Sequence, residues 1–243
     1  MIHDLEGALP GTLRMRVCDS PAELAETVAA AVREAVLTGL RARAAASLVV
    51  AGGSTPRAYL PRIAALDLPW PRVSVTLSDE RLVPPDDPHS NARLVRECLL
   101  RERAAAARFV PLYAEGEADP AAGAAARLAS LPRPFDLVLL GIGNDSHVAS
   151  LFPGAEGVAP ALEPDGTADC VRLAPPRGIE PALPRVSLSV RALLDSRRIL
   201  IAAQGVDKRA AFERAALGHW PQPSPLHALV QHAAQPIEFV WSR

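Results

Sequence analysis

The run 135–140, FDLVLL, is a short, largely apolar segment of strand length. Such runs become strands buried on both faces of a parallel sheet. It breaks at Gly141-Ile142-Gly143, where the backbone can turn sharply or come close to a ligand. Asn144, Asp145 and His147 follow within four positions, and then apolar Leu151-Phe152. Reactive side chains at the carboxyl end of a buried strand lie where open α/β sheets form their ligand crevice. The segment therefore narrows the fold to an α/β sheet and puts the chemistry at one edge of it.

The rest of the chain reads in the same rhythm. Ser20-Pro21-Ala22-Glu23 is a capping box with proline at the first helical position, and opens a helix to about residue 43. A strand over 47–51, a helix over 56–66 and a strand over 73–77 follow. Ser90 caps a helix expected to run to 103. Residues 109–112 form a strand, and Asp119-Pro120 opens a helix to 130. Beyond the 135–140 strand, 155–169 reads as loop, 170–173 as strand and 175–184 as loop. Residues 185–190 alternate as a strand, 198–203 suit a buried strand, and Asp207 caps a helix to 217. Ser224-Pro225 starts a last helix and 237–241 a last strand. Strands alternating with helices predict a doubly wound, mostly parallel sheet with helices on both faces, over 1–243 as one domain.

Composition removes several classes of function. Net charge is −1 with no long basic cluster, and aromatics make up 4%, which argues against a nucleic-acid partner. Cys18, Cys98 and Cys170 are far apart and without metal-ligand spacing, so neither a zinc site nor a disulfide framework is expected, and a reducing compartment fits. No metal or organic cofactor is called for by any carboxylate or histidine cluster. The opening MIHDLEGALPGTLRMRV lacks a signal-peptide core, and no window is long enough for a membrane helix. The expectation is a cytoplasmic protein with no membrane partner, a monomer or weak homodimer. Of 26 basic residues Lys208 is the only lysine, and a compact ammonium suits a phosphate.

Three strand ends carry chemistry. Gly52-Gly53-Ser54-Thr55 joins a strand to a helix; its backbone N–H groups, its hydroxyls and the helix N-terminus can hold a phosphate, although the lysine-bearing GxxxxGK[ST] pattern is absent. Ser78-Asp79-Glu80-Arg81 is either a solvated turn or places Asp79 and Arg81 toward sugar hydroxyls or a carbonyl. Gly141 to His147 matches only part of a dinucleotide fingerprint, with Ser146 at the third glycine position and no downstream acid to bind ribose. Asp145, two residues from His147, makes that histidine a candidate catalyst.

These segments, in this order, resemble the 6-phosphogluconolactonase family: Gly52-Gly53-Ser54-Thr55-Pro56, then Ser78-Asp79-Glu80-Arg81 with Ser90-Asn91, then Asp145 to Gly154 (DSHVASLFPG). The family usually has glycine where Ser146 stands. Glucosamine-6-phosphate deaminases share the Gly-Asn-Asp-x-His segment, including Asn144, but carry an aromatic residue at the place of Arg81. The resemblance implies a NagB-like, Rossmann-type three-layer sandwich and hydrolysis of 6-phospho-D-glucono-1,5-lactone, a phosphosugar lactone. It implies His147 as the base that activates water, with Asp145 orienting it. Arg81 and backbone N–H groups near Gly143 would meet the oxyanion, and Asp79 the sugar hydroxyls. Gly53-Ser54-Thr55, Lys208 and Arg185 would hold the phosphate. A glucosamine-6-phosphate deaminase-type enzyme and a non-catalytic sugar-phosphate-binding protein are the alternatives.

Overall fold

The computed structural model describes residues 13–176 and 178–243; the greater part of the N-terminal segment read for a leader lies outside them. In chain order the elements are β1 (Leu13–Cys18), α1 (Pro21–Arg43), β2 (Ala46–Val50), α2 (Pro56–Ala64), β3 (Val73–Leu77), β4 (Asp79–Arg81), α3 (Asn91–Cys98) and β5 (Arg108–Val110). There follow α4 (Pro120–Leu128), β6 (Leu137–Leu140), β7 (Cys170–Leu173), β8 (Arg185–Leu188), α5 (Val190–Leu194), β9 (Ile199–Gln204), α6 (Val206–Ala216), α7 (Pro225–His232) and β10 (Ile237–Ser242).

Seven strands form one sheet in the order β1-β10-β9-β6-β2-β3-β5, and every pairing in it is parallel. Every residue of β2, β3 and β6 is buried, as expected for strands covered on both faces. Helix α1 presents Leu24, Val28, Val32 and Val36 to the core at helical spacing. Ser20 caps it by accepting from the Glu23 N–H at 3.2 Å. Elsewhere Phe212 of α6 stacks on Phe239 of β10 with ring centres 3.7 Å apart.

From β2 the chain winds outward through β3 to β5, returns to β6 on the other side of β2, and then winds away through β9 and β10. The two directions diverge between β2 and β6, which leaves a crevice at their carboxyl ends. Both glycine-containing turns, at 52–53 and 141–143, leave the sheet there.

Several local expectations are corrected. Asp79–Arg81 is not a turn but β4, which pairs antiparallel with β8, itself paired with β7 in a separate three-stranded sheet. Helix α3 stops at Cys98 rather than 103, because the fully buried Leu99 draws the chain into the core and Glu102 adopts a left-handed backbone, φ 50°. β1 fell outside the expected elements, although it adds an edge strand beside β10. The five-residue α5, capped by Ser189, takes the end of the expected 185–190 strand. Asp207 does not cap α6. Gly205 does, at φ 95°, and Asp207 lies exposed in the first turn.

Candidate functional site

A cleft of about 190 Å³ opens at the β2/β6 divergence. It is lined by Gly52, Gly53, Ser54 and Thr55 from the β2–α2 turn, Gly141, Gly143 and His147 from the turn after β6, Asp79 and Arg81 from β4, Arg185 from β8 and Lys208 from α6. Ten of the twelve residues singled out from the sequence thus share one cavity. Asp145 joins through its hydrogen bond to His147. Asn144 does not: it is exposed and off the lining, because the turn carries its side chain to solvent.

Close packing at one glycine shapes the turn after β6. A Cβ on Gly143 would lie 2.2 Å from His147 Nδ1 and 2.4 Å from Asp145 Oδ1, so only glycine leaves room for the pair. Those two atoms are 2.5 Å apart. The His147 ring also lies against Phe152, with centroids 4.2 Å apart. Burial raises the Asp145 carboxyl, but the hydrogen bonds and charge of His147 outweigh it and hold the group below its ordinary value. With Nδ1 engaged by a carboxylate, Nε2 is the nitrogen left to accept a proton. Backbone N–H groups near Gly143 were expected to face a substrate oxyanion, but that of Gly143 itself is not free to do so. It donates instead to the His147 carbonyl at 3.0 Å and closes the turn.

The opposite wall belongs to the small sheet. In the antiparallel register Arg81 faces Arg185 and Asp79 faces Ser187. Arg81 Nη1 donates to the His89 carbonyl at 2.8 Å and to Asn91 Oδ1 at 3.0 Å. Arg185 is 6% exposed. Burial first, and then the Arg81 charge, hold its guanidinium below its ordinary value. The Nε atoms of both arginines are buried without a partner among the described residues. Two guanidinium groups on facing residues make this wall of the cleft electropositive. Asp79 is ordered by Ser78 Oγ, which donates to Oδ1 at 2.8 Å, and by Ser150 Oγ, which donates to Oδ2 at 2.5 Å. Ser150 in turn accepts from Arg185 Nη1 at 3.2 Å.

At the third wall, Gly53, Ser54 and Thr55 donate no backbone hydrogen bond within the described residues. Gly53 has φ 101°, a left-handed conformation suited to glycine. The N-terminus of α2 lies just beyond this turn and adds positive potential. Lys208 forms no ion pair among the described residues, and burial pushes its ammonium down from the usual lysine value.

Asn91 in the cleft wall, and Glu80 buried behind it, were not expected to shape the site. Glu80 is buried beneath the start of α3, where it accepts from the N–H groups of Asn91 and Ala92, each at 2.7 Å, and from Ser90 Oγ. Burial lifts its carboxyl above the ordinary value, opposed by these backbone donors. Asn91 lines the cleft, and its Oδ1 would lie 1.9 Å from a Cβ on Gly52. The Ser90-Asn91 pair that follows the acid-acid-arginine segment was the available signal. Among the described residues no three His, Cys, Asp or Glu side chains are grouped to hold a metal ion, and no helix is long and apolar enough to cross a membrane.

The family model described as glucosamine-6-phosphate isomerases/6-phosphogluconolactonase matches residues 19–241. A 6-phosphogluconolactonase from Rhizobium meliloti is 37% identical over 230 residues, covering 94% of this chain and 98% of that protein. Another from Mesorhizobium japonicum is 40% identical over 223 residues, covering 90% and 91%. The crystal structure of a 6-phosphogluconolactonase from Shewanella baltica superposes with a TM-score of 0.86 at 33% identity, covering 97% of this chain and 100% of that one.

Proposed function

The chain belongs to the glucosamine-6-phosphate isomerase/6-phosphogluconolactonase family and is a carboxylic ester hydrolase for 6-phospho-D-glucono-1,5-lactone; we propose that His147 is the base that activates water. The product is 6-phospho-D-gluconate, the second step of the oxidative pentose phosphate pathway. The observation that carries the proposal is the His147–Asp145 pair in one cleft with three cations, Arg81, Arg185 and Lys208.

The phosphate rests on the Gly53-Ser54-Thr55 turn, held by Lys208 and Arg185. Asp79, its oxygens oriented by Ser78 and Ser150, accepts from sugar hydroxyls and fixes the ring. Water gives a proton to His147 Nε2 and attacks the lactone carbonyl carbon. The carbonyl oxygen takes up negative charge, which Arg81 stabilises. As the carbonyl re-forms, the bond to the ring oxygen breaks, and the imidazolium returns its proton to that oxygen. Asp145 keeps the imidazole in one tautomer and favours its cationic form. The carboxylic acid product then ionises in solvent.

Arg81 in place of an aromatic residue favours the lactonase over an amino-sugar phosphate deaminase. The same reading makes the protein a single cytoplasmic domain, a monomer or weak homodimer, with no nucleic-acid or membrane partner. Its three cysteines are free thiols, in keeping with a reducing compartment. His147→Asn is expected to lower kcat by roughly 10²- to 10⁴-fold with KM within about twofold. Near-normal turnover in that variant removes His147 from the role, and ammonia release from glucosamine 6-phosphate by the wild type would favour the deaminase.

A further inference from the structure

We propose that Ser146 is a positioning residue for His147, acting through Ser224 and the 218–224 loop between α6 and α7. The proposal rests on the assignment of His147 as base. Ser146 is a non-glycine residue at φ 67° with no exposed surface. An L residue in the left-handed region is strained, and a strained buried residue beside a reactive group persists where the surroundings hold it. Its hydroxyl lies 3.1 Å from Ser224 Oγ, and either can donate. Ser224 is 4% exposed and caps α7, accepting from the His227 N–H at 3.3 Å. A buried hydroxyl pair on a helix cap is a fixed point rather than a surface contact.

The same loop reaches the far end of the segment. A Cβ on Gly154 would lie 2.7 Å from Gln222 Oε1. The 218–224 loop therefore touches both ends of 146–154, which carries His147 and the ring beside it, Phe152. Between those ends, Ser146 donates its N–H to the Gly143 carbonyl and the Gly143 N–H donates to the His147 carbonyl. A shift at Ser146 is thus passed by backbone to the two residues that set the imidazole. In this chain the hydroxyl bond offsets the strain of a side chain at a glycine-type position and places the base.

The test compares S146A, which keeps the strain and loses the hydroxyl, with S146G, which loses both, and with S224A and the S146A/S224A double variant. S146A is expected to lower kcat about tenfold and S146G, which also sheds the strain, by less, each with KM within twofold. The double variant should fall no further than the lower single variant, since one bond is removed either way. The pH dependence of the His147 ring carbon signal in NMR, which needs no substrate, should shift in S146A and S146G. Unchanged kcat and an unchanged His147 titration in both Ser146 variants would overturn the proposal, as would independent, multiplicative losses for Ser146 and Ser224. If S224A fails to fold, the two Ser146 variants decide. Wild-type protein without lactonase turnover would overturn the functional reading instead, and the NMR titration would still decide the placement of His147 by Ser146.

Discussion

Gly143→Ala isolates the geometry of the base. The backbone at Gly143 lies outside the left-handed region, so alanine adds no conformational strain, and any effect comes from one methyl group. That methyl would stand 2.2 Å from His147 Nδ1 and 2.4 Å from Asp145 Oδ1, whereas non-bonded contacts begin near about 3.5 Å. Ring and carboxylate must each draw back from the methyl by about 1 Å or more, so the pair cannot keep its present hydrogen-bond geometry. Losing a hydrogen bond to a charged partner costs about 1.5–3 kcal/mol, equivalent to roughly 10- to 150-fold in rate. The expected result is a kcat reduced by that range, with KM close to wild type. The assay follows acid release from the lactone with a pH indicator, corrected for spontaneous hydrolysis, and a thermal melt confirms that the variant is folded. A folded G143A enzyme turning over within twofold of wild type would show that the pair does not set the rate.

Lys208→Gln is expected to raise KM for the phosphorylated lactone on the order of tenfold, the scale of one charge-assisted hydrogen bond, with kcat little changed; an unaltered KM would clear the lysine of phosphate contact. The Asp145 carboxyl, held below its ordinary value, contributes stability that is whole above its unfolded value near about pH 4 and is lost as pH falls through its lower folded value. Asp145→Asn is therefore expected to lose less stability than wild type on acidification below about pH 4, and an equal loss by the two proteins in parallel urea-denaturation series would refute that linkage.

The large sheet was legible except for β1, whose alternating arginines hide it, because its other strands are short apolar runs punctuated by glycine, proline and capping serines. Ser20, Ser90, Asp119 and Ser224 each cap the helix that their sequence announces. The small sheet was legible only in part: β7 and β8 were expected as strands, but β4 is three charged residues, Asp79-Glu80-Arg81, whose polarity reads as a turn. They are a strand because β8, far along the chain, supplies their backbone partners, and α3 supplies donors to Glu80 from 11 and 12 residues on. Asp207 misled for a local reason, since an acid in the first turn of a helix looks like its cap. The site residues were legible as types at strand ends. The hidden parts were contacts: the Gly143 N–H spent on the turn, the closeness of Arg81 to Arg185, and Asn91 seated against Gly52. None of these has a spacing to read.

Ser78 sits between β3 and β4 and takes part in both sheets: its N–H donates to the Val50 carbonyl, and its carbonyl accepts from the Leu188 N–H, each at 2.9 Å. One residue thus rivets the wall that bears the guanidinium groups to the frame that bears the imidazole. The spacing of the two cleft walls is a property of main chain, not of side-chain rotamers. Retuning such an enzyme for a longer or shorter phosphorylated ester consequently calls for changing the reach of Arg81, Arg185 or Lys208, because the two supports cannot slide apart without tearing the joint at Ser78.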